Sequence, residues 1–190
     1  RTIKVFTSSL TDFFHEKIDD YRADAWDIIR KCPDLIFQIL TKRPERIEKC
    51  LPDDWLDHAG QLNYKNVWLG TTVENQKRAN ERIPLLLNID AVCHFLSVEP
   101  ILGPVNLESL KFSLWGRETK DNCLSGDFIL PNKIDWVVIG GESGNENGDW
   151  KYRPAKLEWF NSFVDQCHQN GVLVFVKQLG TYLGKTYITD

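Results

Sequence analysis

Methionine is absent from all 190 residues. A strand pattern that begins at residue 3 leaves no lead-in, so the chain reads as a fragment whose natural start lies upstream. The five cysteines, at 32, 50, 93, 123 and 167, form no C-x-x-C pair, and their number is odd. That excludes a zinc-finger or disulfide framework and suits a reducing cytoplasm. Cys93 lies in an apolar run and Cys167 at a helical apolar position, so both read as core thiols. The four histidines, His15, His58, His94 and His168, include no i, i+4 pair and no partners for a Ser-His-Asp or Cys-His arrangement. No apolar run approaches the roughly 20 residues of a membrane-spanning helix, and no signal peptide is visible. The net charge of −4 excludes a general nucleic-acid surface and leaves only a local basic patch for such contact.

What is present is a series of six short apolar runs, each ending in a polar or glycine cluster. Ile3 to Phe6 leads into Thr7-Ser8-Ser9-Leu10-Thr11-Asp12. Leu35 to Leu40 leads into Thr41-Lys42-Arg43-Pro44. Val67 to Leu69 leads into Gly70-Thr71-Thr72-Val73-Glu74-Asn75. Val92 to Leu96 leads into Ser97-Val98-Glu99-Pro100. Trp136 to Ile139 leads into Gly140-Gly141-Glu142-Ser143-Gly144. Val172 to Val176 leads into Lys177-Gln178-Leu179-Gly180. Near-continuous apolar strands spaced by helical segments predict a parallel sheet buried on both faces.

Helices are predicted from Asp19 to Ile29, after Pro44 with Ile47 and Leu51 inward, from Glu74 to Leu87, and from Pro154 to Cys167. Pro84 predicts a kink or an early break in the third. Cys32-Pro33 ends the first, and Asn170-Gly171 the last. The α/β class that follows is an incomplete parallel βα barrel, TIM-like, with six visible strands in one domain spanning 1–190. A surface insertion at about 105–133 follows the fourth strand. Within it, Leu110 to Trp115 and Asp127 to Leu130 read as a small hairpin or excursion, joined by the polar stretch Gly116 to Gly126.

Parallel strands bring all six polar clusters to one face, where barrel enzymes carry their sites. The acids there are Asp12, Glu74, Glu99 and Glu142. Asp12 and Glu74 also suit helix starts, where carboxylates are favoured. Glu99 precedes a proline with no helix signal after it, and Glu142 sits in a glycine-rich turn. Those two are the stronger candidates for acid–base or binding work. Lys177 is placed to pair with Glu99 or Glu142. Lys42 and Arg43 stand at a strand-to-helix turn, where a guanidinium clamps an anion. Gly140-Gly141-Glu142-Ser143-Gly144 allows close backbone approach to a ligand but lacks dinucleotide or P-loop spacing. The interleaved charges suit a polar, zwitterionic small molecule.

As an ordered set, these segments resemble a known family. They are Phe6 to Phe14, Gln38 to Arg46, Asn66 to Gly70, Val73 to Gln76, Leu96 to Pro104, Asp135 to Gly144 and Val176 to Gly180. The chain resembles phage-associated, radical S-adenosylmethionine-like proteins of unassigned function, everywhere except about Leu110 to Asn132. The resemblance implies a partial βα barrel and, in an intact protein, a [4Fe–4S] cluster on three cysteines after the first strand. Those cysteines are missing here, so the first strand corresponds to the family's second, and this chain alone is expected to hold no cluster in that manner.

Under the resemblance, Glu99, Glu142, Lys177 and Asp12 are the catalytic candidates. Ser9, Thr71, Thr72, Glu74, Asn75, Ser97, Gly140, Gly141 and Ser143 would meet S-adenosylmethionine, and Lys42, Arg43 and Gln178 a substrate. No metal ligand is assigned. A non-catalytic phage-derived module, binding a ligand or partner at the same rim, is the competing expectation.

Overall fold

The computed structural model describes residues 3–126, 129–145, 147 and 151–187. Strands β1 (Ile3–Thr7), β2 (Leu35–Thr41), β3 (Val67–Thr72), β4 (His94–Val98), β7 (Trp136–Gly140) and β8 (Leu173–Gln178) form one sheet in that order. Every neighbouring pair is parallel. The sheet curls into half of a βα barrel, as the six apolar runs predict. Helices α1 (Arg22–Lys31), α3 (Gln76–Leu87) and α4 (Leu157–Gln169) cross between strands, and α5 (Gly180–Tyr187) follows β8. A short α2 (Ile47–Cys50) follows a 3₁₀ turn at Pro44–Arg46. No helix among the described residues is long and apolar enough to cross a membrane.

Strand alternation assigns two layers. Phe37, Ile39, Val67, Leu69, Leu96, Val98, Val137 and Ile139 are buried with Trp26, Ile29, Ala79, Ile83, Leu86, Phe160 and Phe163 from the helices. Each ring of Phe160 and Phe163, fully enclosed, contributes about 1.5–3 kcal/mol of burial free energy. The intervening strand residues face the concave side.

Three predictions are corrected. The helix after Pro44 ends at Cys50, and Leu51 turns to an extended ψ of 152°. Pro52 disfavours helix in the residue before it, a signal that outweighs the apolar spacing of Ile47 and Leu51. Pro84 does not stop α3, which continues to Leu87. Only three residues follow Pro84, so the single backbone bond it removes, to the carbonyl of Asn80, lies in the last turn. The hairpin partner of β5 (Leu110–Leu114) is β6 (Arg117–Asp121), joined through Trp115 and Gly116, both at positive φ. The expected second arm begins at Asp127 and Phe128, which lie outside the described residues. Leu107, Leu110, Cys123, Leu124 and Leu130 of this insertion enter the main core, so it packs as part of the domain.

Candidate functional site

The concave face is built by register. Phe6 stands beside Gln38, and Gln38 beside Trp68. Leu40 aligns with Gly70, Gly70 with Phe95, and Phe95 with Trp136. Ser97 aligns with Val138, and Val138 with Phe175. These residues, except Trp68 and Gly70, join Glu99 and Lys177 in lining a cleft of about 270 Å³.

Its wall is aromatic for a local reason. A Cβ at Gly70 would stand 2.5 Å from atoms of the Phe95 ring, so the missing side chain is the space the ring occupies. Phe95 then lies 5.7 Å from Trp136, which meets Trp68 edge-on at 6.0 Å. Lys4 closes that layer, its Nζ 4.6 Å from the Trp68 ring centroid in cation–π geometry.

Four polar side chains interrupt the apolar wall. Lys177 Nζ lies 3.3 Å from Glu99 Oε1. The Ser97 hydroxyl reaches Glu99 Oε2 at 3.5 Å. Gly140 leaves the room for this carboxylate, because a Cβ there would come within 2.3 Å of Glu99 Oε1. The Lys177 side chain is 56% exposed, so its pairing with Glu99 stabilises the fold by at most about 1 kcal/mol. A ligand's own charges can therefore displace it at small cost.

Gln38 completes the set. It is 8% exposed, and its Nε2 has no hydrogen-bond partner. A buried donor left unpaired costs about 1–3 kcal/mol. Sequence reasoning missed Gln38 and the ring wall of Phe95 and Trp136. A lone amide inside the apolar run Leu35 to Leu40 was the available signal.

Other expected residues are committed to structure. Asp12 Oδ1 accepts from Phe14 N at 3.0 Å and Thr41 Oγ1 at 2.7 Å, while Oδ2 accepts from Lys42 N at 2.9 Å and Arg43 Nη1 at 3.1 Å. Burial works against ionisation, but these donors, Lys42 N–H first, outweigh it and hold the carboxyl below its ordinary range. Asp12 thus braces the end of β1 to that of β2. Asp12→Asn is expected to lose about 1–3 kcal/mol of stability near neutral pH. The folded-state pKa is depressed, so the carboxylate's contribution is present above about pH 4 and fades as pH falls through the lower folded value. Chemical denaturation at pH 7 and pH 3 checks this: the gap between wild type and variant should narrow in acid.

Thr71 is fully buried and donates to the Thr41 carbonyl at 2.8 Å, and Thr72 is buried beside it. Asn75 caps α3 by accepting from Arg78 N. The expected S-adenosylmethionine contacts of these three thus meet side chains that are buried or engaged in backbone bonds. Glu74 binds Arg82 at 3.0 Å and Lys42 at 3.6 Å, so Lys42 and Arg43 both pair with rim acids. Glu142 pairs with Arg153, not Lys177: its Oε2 accepts from Arg153 N at 2.7 Å and Nε at 2.8 Å. Hydrogen bonds from the Arg153 side chain, opposed by burial and aided by its backbone N–H, lower the Glu142 pKa.

Gln178 Nε2 donates to the Gly141 carbonyl at 3.2 Å and its Oε1 accepts from Ser143 Oγ at 3.3 Å. Gly141 lies against the Leu179 backbone. Ser9 sits in the exposed turn after β1, away from the cleft lining. Of the expected residues, the structure gathers Glu99, Lys177, Ser97 and Gly140 at one cleft, leaves Ser9 in an exposed turn, and engages the others in contacts around the rim.

The cluster implied by the resemblance needs accessible thiolates close together. Cys50, Cys93, Cys123 and Cys167 are buried. Burial pushes the Cys93 thiol up to about 12 and the Cys167 thiol to about 11, and raises Cys123 as well. No group of three or more His, Cys, Asp or Glu suited to a metal occurs among the described residues. The described residues do not fit an iron–sulfur cluster.

A family profile described as "Protein of unknown function (DUF5131)" matches residues 1–189. No curated protein and no solved structure matches the chain.

Proposed function

The chain belongs to that family, and from this premise we propose that its concave cleft binds a small zwitterionic ligand of the S-adenosylmethionine class, in a radical S-adenosylmethionine-like barrel of phage type. The single observation that carries the reading is the Glu99–Lys177 pair, 3.3 Å apart on the wall of a largely apolar cleft. Glu99 would take the ligand's ammonium, and Lys177 its carboxylate. Ser97 and Gly140 hold Glu99 in position. The enzymatic part of the proposal rests on resemblance and fold analogy. An iron–sulfur cluster, when bound to an intact protein of this kind, supplies the electron that cleaves S-adenosylmethionine; no cysteine among the described residues would hold it.

That mismatch favours a second reading for this chain by itself: a cytoplasmic module that binds the ligand without turnover. Both readings share a small-molecule ligand at the rim and set nucleic acid aside. Isothermal titration with S-adenosylmethionine is expected to give saturable binding. Glu99→Gln keeps the shape but removes the charge, and should weaken binding about tenfold, the equivalent of one charge-assisted hydrogen bond. Absence of saturable binding, or equal affinity of the variant, would sink the proposal.

A further inference from the structure

The charged pair accounts for one end of the cleft and leaves the Gln38 amide unexplained. Gln38 projects from the middle of β2, between Phe6 of β1 and Trp68 of β3 in register. It is 8% exposed, with an unpartnered Nε2, and it shares the cleft with Phe6, Phe95, Trp136 and Phe175. An aliphatic occupant would leave the donor unpaired. A charged occupant would meet an apolar wall at this depth. A flat ring satisfies both constraints: its faces lie on aromatic side chains, and an acceptor on its edge takes the amide hydrogen.

The volume limits the size. About 270 Å³ falls just below the usual range of ligand pockets, roughly 300–1,000 Å³. One bicyclic ring suits the inner part of such a space.

We infer that the inner part of the cleft takes an uncharged, planar nitrogen heterocycle of nucleobase size, whose ring nitrogen or carbonyl oxygen accepts the Gln38 Nε2 hydrogen. This names the substrate class of the site proposed above and rests on that cleft being a ligand site, while being independent of what the Glu99–Lys177 pair binds. Gln38 is then the specificity-determining residue, rejecting rings without an acceptor because its own donor stays unpaired.

The test is calorimetric titration of the full chain with hypoxanthine, which carries edge acceptors, and indole, which is similar in size and carries none. Hypoxanthine should bind at least about tenfold more tightly, and Gln38→Leu should bring its affinity down to that of indole. The melting temperature of Gln38→Leu should equal or exceed that of the wild type, because an unpaired donor has been removed. Equal affinity for the two rings overturns the inference. So does an unchanged hypoxanthine affinity in Gln38→Leu, and so does a variant that melts several degrees lower, which would make the amide structural. S-adenosylmethionine binding is read separately: its loss with ring discrimination intact defeats the rim proposal alone, and the reverse outcome defeats this one alone.

Discussion

Gly141→Ala is expected to lower the melting temperature by about 6–12 °C, from a loss of about 3 kcal/mol in a domain of this size. The added Cβ would stand 2.2 Å from the Leu179 carbonyl oxygen, 2.6 Å from its carbon and 2.9 Å from Gly180 N. All three are backbone atoms, so no rotamer relieves the overlap. Gly180, at φ +79°, is the facing glycine: a Cβ there would meet the Gly141 carbonyl carbon at 2.7 Å and Glu142 O at 2.8 Å. The two chain segments approach this closely because Gly141 N donates to Gln178 O and Thr181 N to Glu142 O, each at 3.0 Å. Moving them apart breaks both bonds and detaches the start of α5 from the end of β7. Gly184→Ala is the control. Nothing lies within 4 Å of the place its Cβ would take, and alanine favours helix over glycine, so α5 should tolerate it or gain. Differential scanning calorimetry decides; a Gly141→Ala midpoint within a degree of wild type would refute the packing argument.

The barrel class was legible in the sequence because parallel strands buried on both sides leave continuous apolar runs, and every one of the six became a strand of the sheet. The polar strand ends were equally legible as a face. Which of them touch each other was not. Glu99 and Glu142 look alike as acids after strands, yet Glu99 meets Lys177 across the cleft while Glu142 meets Arg153, eleven positions further along the sequence. Asp12 reads as a catalytic acid or a cap, and only the folded geometry brings Thr41 and Arg43 to it. The cleft wall was hidden for another reason. Phe95 and Trp136 sit in apolar runs whose two faces are chemically alike, so composition cannot say which ring points to the helices and which to the concave side. Gln38 breaks that uniformity.

The neighbouring glycine separates fold from site. Gly140→Ala is expected to leave the protein folded, with a small fall in melting temperature, and to reduce S-adenosylmethionine affinity about a hundredfold, more than Glu99→Gln does. Its Cβ would stand 2.3 Å from Glu99 Oε1, 2.9 Å from Cγ and 3.0 Å from Cδ. Every one of these atoms belongs to a side chain that can rotate, unlike the Leu179 backbone that confronts Gly141. The collision is relieved by swinging the carboxylate off β7. That movement forfeits the 3.3 Å contact with Lys177 and the Ser97 bond together. The methyl group also fills space at the charged end of the cleft. Glu99→Gln removes only a charge, whereas Gly140→Ala removes the position, the pair and part of the volume; two decades of affinity correspond to about 2.8 kcal/mol. Calorimetric titration beside a melting curve checks both halves. A variant that binds as tightly as wild type would place the ligand away from Glu99, and one that fails to fold would show that Gly140, like Gly141, serves the sheet and not the cleft.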